Sequence, residues 1–130
     1  MSSEDLVRKA SLLKEEGTAE FMSGNNVAAA KLYKRAADLI FHPIMSDEGA
    51  DLYVKCWSNA AMCFIKEKSW YDVIHCCNKV FHKFPDEVDT NIKLLYRRAI
   101  SKMHVEEWKD AKADLFAAYE IDNIYEQRCS

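Results

Sequence analysis

The chain has 130 residues, a formal net charge of −3 and 49% hydrophobic residues. That is the length of one domain with enough apolar material for a core, which excludes a disordered polypeptide and a pair of ordinary domains. The mild acidity argues against a nucleic-acid surface, no apolar run approaches the ~18 residues of a membrane span, and Met1-Ser2-Ser3-Glu4-Asp5 lacks the apolar stretch of a signal peptide.

Glycine (3) and proline (2) are scarce while Ala, Leu, Lys and Glu abound, so an all-α fold is expected. Residues 4–23 read as a first helix, with Leu6, Ala10, Leu13, Gly17 and Phe21 along one side. Ser23-Gly24-Asn25-Asn26 is a turn, and 27–41 a second helix whose apolar face is Ala29, Ala30, Tyr33, Ala36, Ala37 and Ile40. Its small alanines predict a close helix–helix approach, and Pro43 ends it. Ser46 caps a third helix reaching about Lys66, with Leu52, Trp57, Ala60, Ala61, Phe64 and Ile65 inward. Ser69-Trp70-Tyr71-Asp72 has capping-box form and opens a fourth helix carrying Val73, Ile74, Cys77, Val80 and Phe81. Beyond Pro85, Asp86 is expected to cap a fifth helix running to about His104, with Leu94, Leu95 and Tyr96 facing the core. A sixth follows Glu106-Glu107-Trp108, and residues 122–130 are expected to be a short tail, with one or two further helical turns as the alternative.

Three helix pairs invite a search for repeats. Gly17, Asn26, Ala29, Tyr33 and Ala36 in the first pair match Ala61, Trp70, Val73, Cys77 and Val80 in the second and Ala99, Trp108, Ala111, Leu115 and Ala118 in the third, each set at spacings of 9, 3, 4 and 3. The repeats lie 44 and 38 residues apart, with the excess at 41–50 and 84–90. The pattern resembles the tetratricopeptide repeat (TPR), a helix–turn–helix unit of about 34 residues. The resemblance covers residues 10–122, as repeats over about 10–43, 54–85 and 92–122 with a tail at 123–130. It implies a right-handed superhelical array in which the first helix of each pair lines a groove.

Polar residues interrupt the apolar pattern of those first helices at Lys14, Thr18, Asn59, Lys93 and Arg97. Lys93 and Arg97 share a helix face, where like charges four apart cost about 0.2–0.5 kcal/mol unless something offsets them. Asn59, within Trp57-Ser58-Asn59-Ala60-Ala61, is an amide that needs partners. These positions resemble the carboxylate clamp of TPR co-chaperones, with Thr18 where that pattern has Asn. Lys14-Glu15-Glu16-Gly17-Thr18, Asn59-x-Ala61-Met62-Cys63-x-x-Lys66 and Tyr96-Arg97-Arg98 are similar to the TPR domain of large immunophilins.

The resemblance implies an adaptor without catalysis, metal or cofactor. Its ligand would be the C-terminal peptide of heat-shock protein 90 or 70, ending Glu-Glu-Val-Asp. Lys66 would touch the acidic ligand residues, and Met62 and Ile65 would receive the penultimate Val. No nucleic-acid or membrane partner is expected, the chain is expected to be a monomer or weak dimer, and its compartment the cytoplasm with the nucleus as a further one. No isomerase domain is present in these residues, and without the longer seventh helix usual in such domains the outer face of the sixth should lie exposed.

Blander readings stand beside these. Lys93 and Arg97 alone fit a solvated face, and a TPR scaffold with an unused clamp is the alternative function. His75-Cys76-Cys77 would suggest a thiol enzyme, but adjacent helical residues point apart, so Cys77 reads as core and His75 as surface. The five cysteines, Cys56, Cys63, Cys76, Cys77 and Cys129, form no Cys-x-x-Cys and read as reduced thiols. His42, His82 and His104 read as surface or capping residues, Trp70 and Trp108 as packing at the inter-helix turns, Arg98 as surface or packing, and Asp110, Asp114 and Glu120 as a solvated face.

Overall fold

The computed structural model describes the backbone of residues 1–129 and the side chains of residues 1–127, so the Cys129 thiol and Ser130 lie outside it. The described residues form six α-helices and no strand. They are α1 (Ser3–Met22), α2 (Asn26–Ile40), α3 (Asp47–Lys66), α4 (Trp70–Lys83), α5 (Ile92–His104) and α6 (Trp108–Cys129), with a 3-10 turn at Pro85–Asp89.

Helix starts follow from short polar side chains. Ser2 Oγ accepts from the Asp5 N–H at 3.2 Å while the Asp5 carboxylate accepts from the Ser2 N–H at 3.4 Å, a full capping box. Ser46 Oγ accepts from the Gly49 N–H at 3.0 Å, as expected for α3.

The other expected boundaries are corrected in two places. Asp86 does not cap α5: Pro85 opens a separate 3-10 turn, and Asn91 Oδ1 accepts from the Leu94 N–H at 3.1 Å. Glu87 steadies that cap by accepting from Asn91 Nδ2 at 2.8 Å. Ser69 makes no cap bond to the backbone of α4; its hydroxyl donates to Asp72 Oδ2 at 2.6 Å, because the chain enters from a tight turn at ψ 75° instead of from an extended residue. The expected tail takes its helical alternative as a continuation of α6, which runs on through residues 122–129, with neither Gly nor Pro to stop it.

The three turns inside the helix pairs share one device. Gly24, Lys68 and Glu106 each sit seven positions after Gly17, Ala61 and Ala99, and their φ values are 84°, 56° and 66°. Around the first and third, the following residue's N–H reaches back five positions, Asn25 to the Glu20 carbonyl at 2.9 Å and Glu107 to the Lys102 carbonyl at 2.8 Å. The left-handed residue ends one helix and aims the next. Glycine accommodates it without penalty in the first turn; Lys68 and Glu106 hold it at a cost of about 1–2 kcal/mol each.

The chain comprises two compact units, Met1–Lys68 and the residues from Ser69 onward. In the first, α2 packs against both α1 and α3. Its core holds all six predicted α2 residues, with Ala10, Leu52, Tyr53, Cys56, Trp57, Ala60 and Ala61. The contact is close at Gly17: a Cβ there would lie 3.0 Å from the Tyr33 ring. In the second unit α5 packs against α4 and α6, burying Val73, Cys76, Cys77, Val80, Leu94, Leu95, Ala99, Ala111 and Ala118. Tyr96 departs from expectation by being 45% exposed, since it lies beyond the arc that Leu94 and Leu95 bury.

Candidate functional site

The first unit carries six of the predicted site residues. Lys14 and Thr18 stand one turn apart on α1, about 40° round the axis from each other. Lys14 is half-buried, and its charge offsets part of the burial that pushes the Cys56 thiol up to about 12. Thr18 Oγ1 donates to the Lys14 carbonyl at 3.1 Å and lies 2.7 Å from the Tyr33 phenol oxygen. With the threonine proton on the carbonyl, the phenol donates to Oγ1. Tyr33 is 3% exposed, and burial raises its pKa, so the phenol keeps its proton.

Asn59, Met62, Ile65 and Lys66 lie on α3. Asn59, Met62 and Lys66 fall within about 60° of one another round the helix, with Ile65 a further ~60° on. Asn59 is half-buried between the fully buried Cys56 and Ala60. Among the described residues neither its amide nor the Lys14 ammonium has a hydrogen-bond or ion-pair partner. Met62 and Ile65 are half-buried, and Lys66 is exposed. Nearby, Asn26 Nδ2 donates to Glu67 Oε1 at 3.1 Å, tying the start of α2 to the end of α3.

The second unit carries Lys93 and Arg97, one turn apart on α5. Lys93 is exposed. Arg97 is half-buried, and that burial lowers its pKa, with the Cys77 thiol acting in the opposite sense.

Beside them stands a charge network that contradicts one expectation. Asp114 is no part of a solvated face: it is 5% exposed. Arg98 grips it with two bonds, Nε to Oδ2 at 2.8 Å and a terminal nitrogen to Oδ1 at 2.7 Å, and Lys102 Nζ lies 3.2 Å from Oδ2. Arg98 also donates to Asn78 Oδ1 at 3.0 Å and covers the Phe81 ring at 4.5 Å. The repeat register held a signal for this. Arg98 and Asp114 occupy the positions of Ala60 and Cys76 in the second repeat, both fully buried.

Other residues separate in the same way. Cys76 and Cys77 are buried, and burial pushes the Cys77 thiol up to about 12 and that of Cys63 up to about 11, the reverse of an activated nucleophile. His75 is exposed, as expected. His104 is exposed, as expected, and its ring stacks on Trp70 with centroids 3.9 Å apart. Trp108 is not packed at its turn but 59% exposed, and with Phe116 (65%) and Tyr119 (63%) it forms an exposed aromatic stripe on α6. No helix among the described residues is long and apolar enough to cross a membrane.

No protein-family model matches the chain. Bovine peptidyl-prolyl cis-trans isomerase FKBP4 is 32% identical over 120 residues, which is 88% of this chain and 25% of the relative. Drosophila melanogaster FK506-binding protein 59 is 26% identical over 123 residues, 94% of this chain and 27% of the relative. Human sperm-associated antigen 1 is 32% identical over 110 residues, 85% of this chain and 11% of that protein. The chain thus spans about a quarter or less of these relatives. Among solved structures, the C-terminal TPR-containing domain of a Plasmodium falciparum FK506-binding protein matches with a TM-score of 0.78 and 26% identity, covering 98% of this chain and 90% of that one. The second TPR of Spaghetti (RPAP3), solved bound to the HSP90 peptide SRMEEVD, matches with a TM-score of 0.69 and 16% identity, covering 92% and 91%. The chain has the fold of a tetratricopeptide-repeat domain, and it is similar in sequence to FK506-binding immunophilins.

Proposed function

We propose that the chain is a co-chaperone adaptor that binds the acidic C-terminal peptide of heat-shock protein 90 or 70 through a carboxylate clamp, with no catalysis of its own. The observation that carries the reading lies in the first unit. Lys14 and Asn59 are half-buried donors, and among the described residues neither has a partner. Neither donor is spent on a bond inside the unit, so both are open to a ligand carboxylate. The likeness to a TPR solved with an HSP90 peptide supports that ligand class.

In this reading Lys14, Thr18, Asn59, Lys93 and Arg97 are the donors for the peptide. The terminal Asp offers two carboxylates. Arg97 can take one with parallel bonds, Lys14 and Lys93 act as point charges, and Asn59 and Thr18 add neutral donors. Recognition of the main-chain carboxylate restricts binding to free C-termini. Met62 and Ile65 receive the Val side chain, and Lys66 meets the Glu residues. A cytoplasmic or nuclear monomer or weak dimer fits this role.

The test removes the second unit's charges. Lys93→Ala and Arg97→Ala should each weaken binding of a peptide ending Met-Glu-Glu-Val-Asp at least tenfold, since a charged hydrogen bond contributes about 1.5–3 kcal/mol. Wild-type affinity in both variants would overturn the clamp. One observation favours a second reading, a scaffold docking another protein: the exposed Trp108, Phe116 and Tyr119 stripe on α6. Peptide binding that is indifferent to a free C-terminus would move the assignment there.

A further inference from the structure

We propose that Tyr33 is a positioning residue for the peptide site: its phenol holds the Thr18 hydroxyl as a directed donor for the ligand carboxylate. The inference rests on the clamp reading above and deepens it. It starts from a hydrogen-bond chain, Tyr33 phenol to Thr18 Oγ1 at 2.7 Å and Thr18 Oγ1 to the Lys14 carbonyl at 3.1 Å.

A threonine on a helix divides its side chain between two rotamers, and its hydroxyl competes for the carbonyl four residues back. Left alone, Thr18 would be a poorly aimed donor shorter than the amide it replaces. The phenol changes this in two ways. It occupies one lone pair of Oγ1 and so favours the rotamer that points the oxygen at α2. It also polarises the hydroxyl, because a hydroxyl that accepts a bond donates a stronger one.

The proton itself is easily redirected. The Lys14 carbonyl is an acceptor inside α1 and has the helix backbone bond to fall back on, so Thr18 can move its proton to a carboxylate without orphaning that oxygen. Tyr33 cannot leave. It is 3% exposed, and its ring lies where a Cβ on Gly17 would meet it at 3.0 Å. Gly17 thus admits the ring, the ring fixes the phenol, and the phenol fixes Thr18. A rigid second layer of this kind lets a short hydroxyl serve in a position that otherwise calls for a longer side chain.

The test is a double-mutant cycle read by calorimetric titration with a peptide ending Met-Glu-Glu-Val-Asp and with its C-terminally amidated form. Tyr33→Phe keeps the ring and removes the hydroxyl; Thr18→Val keeps the branched shape and removes the donor. Each single variant should lose about three- to tenfold in affinity for the free acid, and the double variant should be no weaker than Thr18→Val. Binding of the amidated peptide should not move. Tyr33→Phe at wild-type affinity would overturn the proposal. So would a Tyr33→Phe loss that persists undiminished on the Thr18→Val background, because that loss would come from altered packing. Failure of the wild type to distinguish acid from amide would overturn it together with the clamp, and that outcome is recognised without any variant.

Discussion

Removing the Asp114 carboxylate is the sharpest test of the second unit's architecture. The side chains of Arg98, Lys102 and Asp114 are 15%, 13% and 6% exposed. Exposed ion pairs contribute about 0–1 kcal/mol, but a pair this sheltered behaves differently when one partner is deleted. Asp114→Ala leaves a guanidinium fixed over Phe81 and an ammonium beside it with no counter-charge, for which a loss of about 3–5 kcal/mol is expected. Asp114→Asn retains an acceptor for Arg98 and should lose less, about 1.5–3 kcal/mol. Lys102→Met removes the longer, singly held cation and leaves the bidentate pair, so it should cost under about 1 kcal/mol. Urea unfolding gives these values as midpoint shifts at constant slope. The losses should persist at ~1 M salt, where exposed pairs are screened. A loss below about 1 kcal/mol for Asp114→Ala, or one that salt abolishes, would show that the network is solvated and refute the reasoning. Replacing the network at once by Asp114→Leu, Arg98→Met and Lys102→Met should recover most of the deficit, since apolar groups need no counter-charge.

The turns and the thiols supply further predictions. Lys68→Gly and Glu106→Gly should each raise stability by about 0.5–1 kcal/mol, the relief of left-handed strain less the added chain entropy, while Gly24→Ala should lower it by about 1 kcal/mol; melting temperatures would show both signs. Burial raises the Cys56, Cys63 and Cys77 thiols to about 12, 11 and 12, above the ordinary value of 9.0. A raised folded-state pKa means that the stabilisation is complete below the unfolded value. Stability should therefore hold up to about pH 9 and then fall by up to about 1.4 kcal/mol per thiol per pH unit as pH rises toward 11–12. Alkylation of these thiols at neutral pH should be slow and accelerate with denaturant; fast labelling of the native protein would contradict their burial.

The repeat register was legible because packing imposes it. Small residues at Gly17, Ala61 and Ala99 and the residues 12, 16 and 19 positions later mark where helices approach, and the predicted α2 face is buried residue for residue. Boundaries set by backbone conformation were less legible. Asn91 rather than Asp86 caps α5 because Pro85 commits its neighbours to a 3-10 turn, and both are plausible caps by residue type. Charged residues misled where one repeat departs from the others. Arg98 and Asp114 are ordinary surface residues by type, yet they fill positions that the second repeat gives to Ala60 and Cys76. Thr18 was legible as a donor, but its bond to Tyr33 was not. The apolar pattern accounts for the tyrosine ring and is silent on the hydroxyl.

Calorimetric titration with a peptide ending Met-Glu-Glu-Val-Asp, beside the same peptide amidated at its C-terminus, tests the central claim most directly. A carboxylate clamp predicts salt-sensitive binding of the free acid and a loss of at least tenfold on amidation, because the amide removes the charge that the lysines and Arg97 would hold. Equal binding of the two peptides, or of neither, would contradict it.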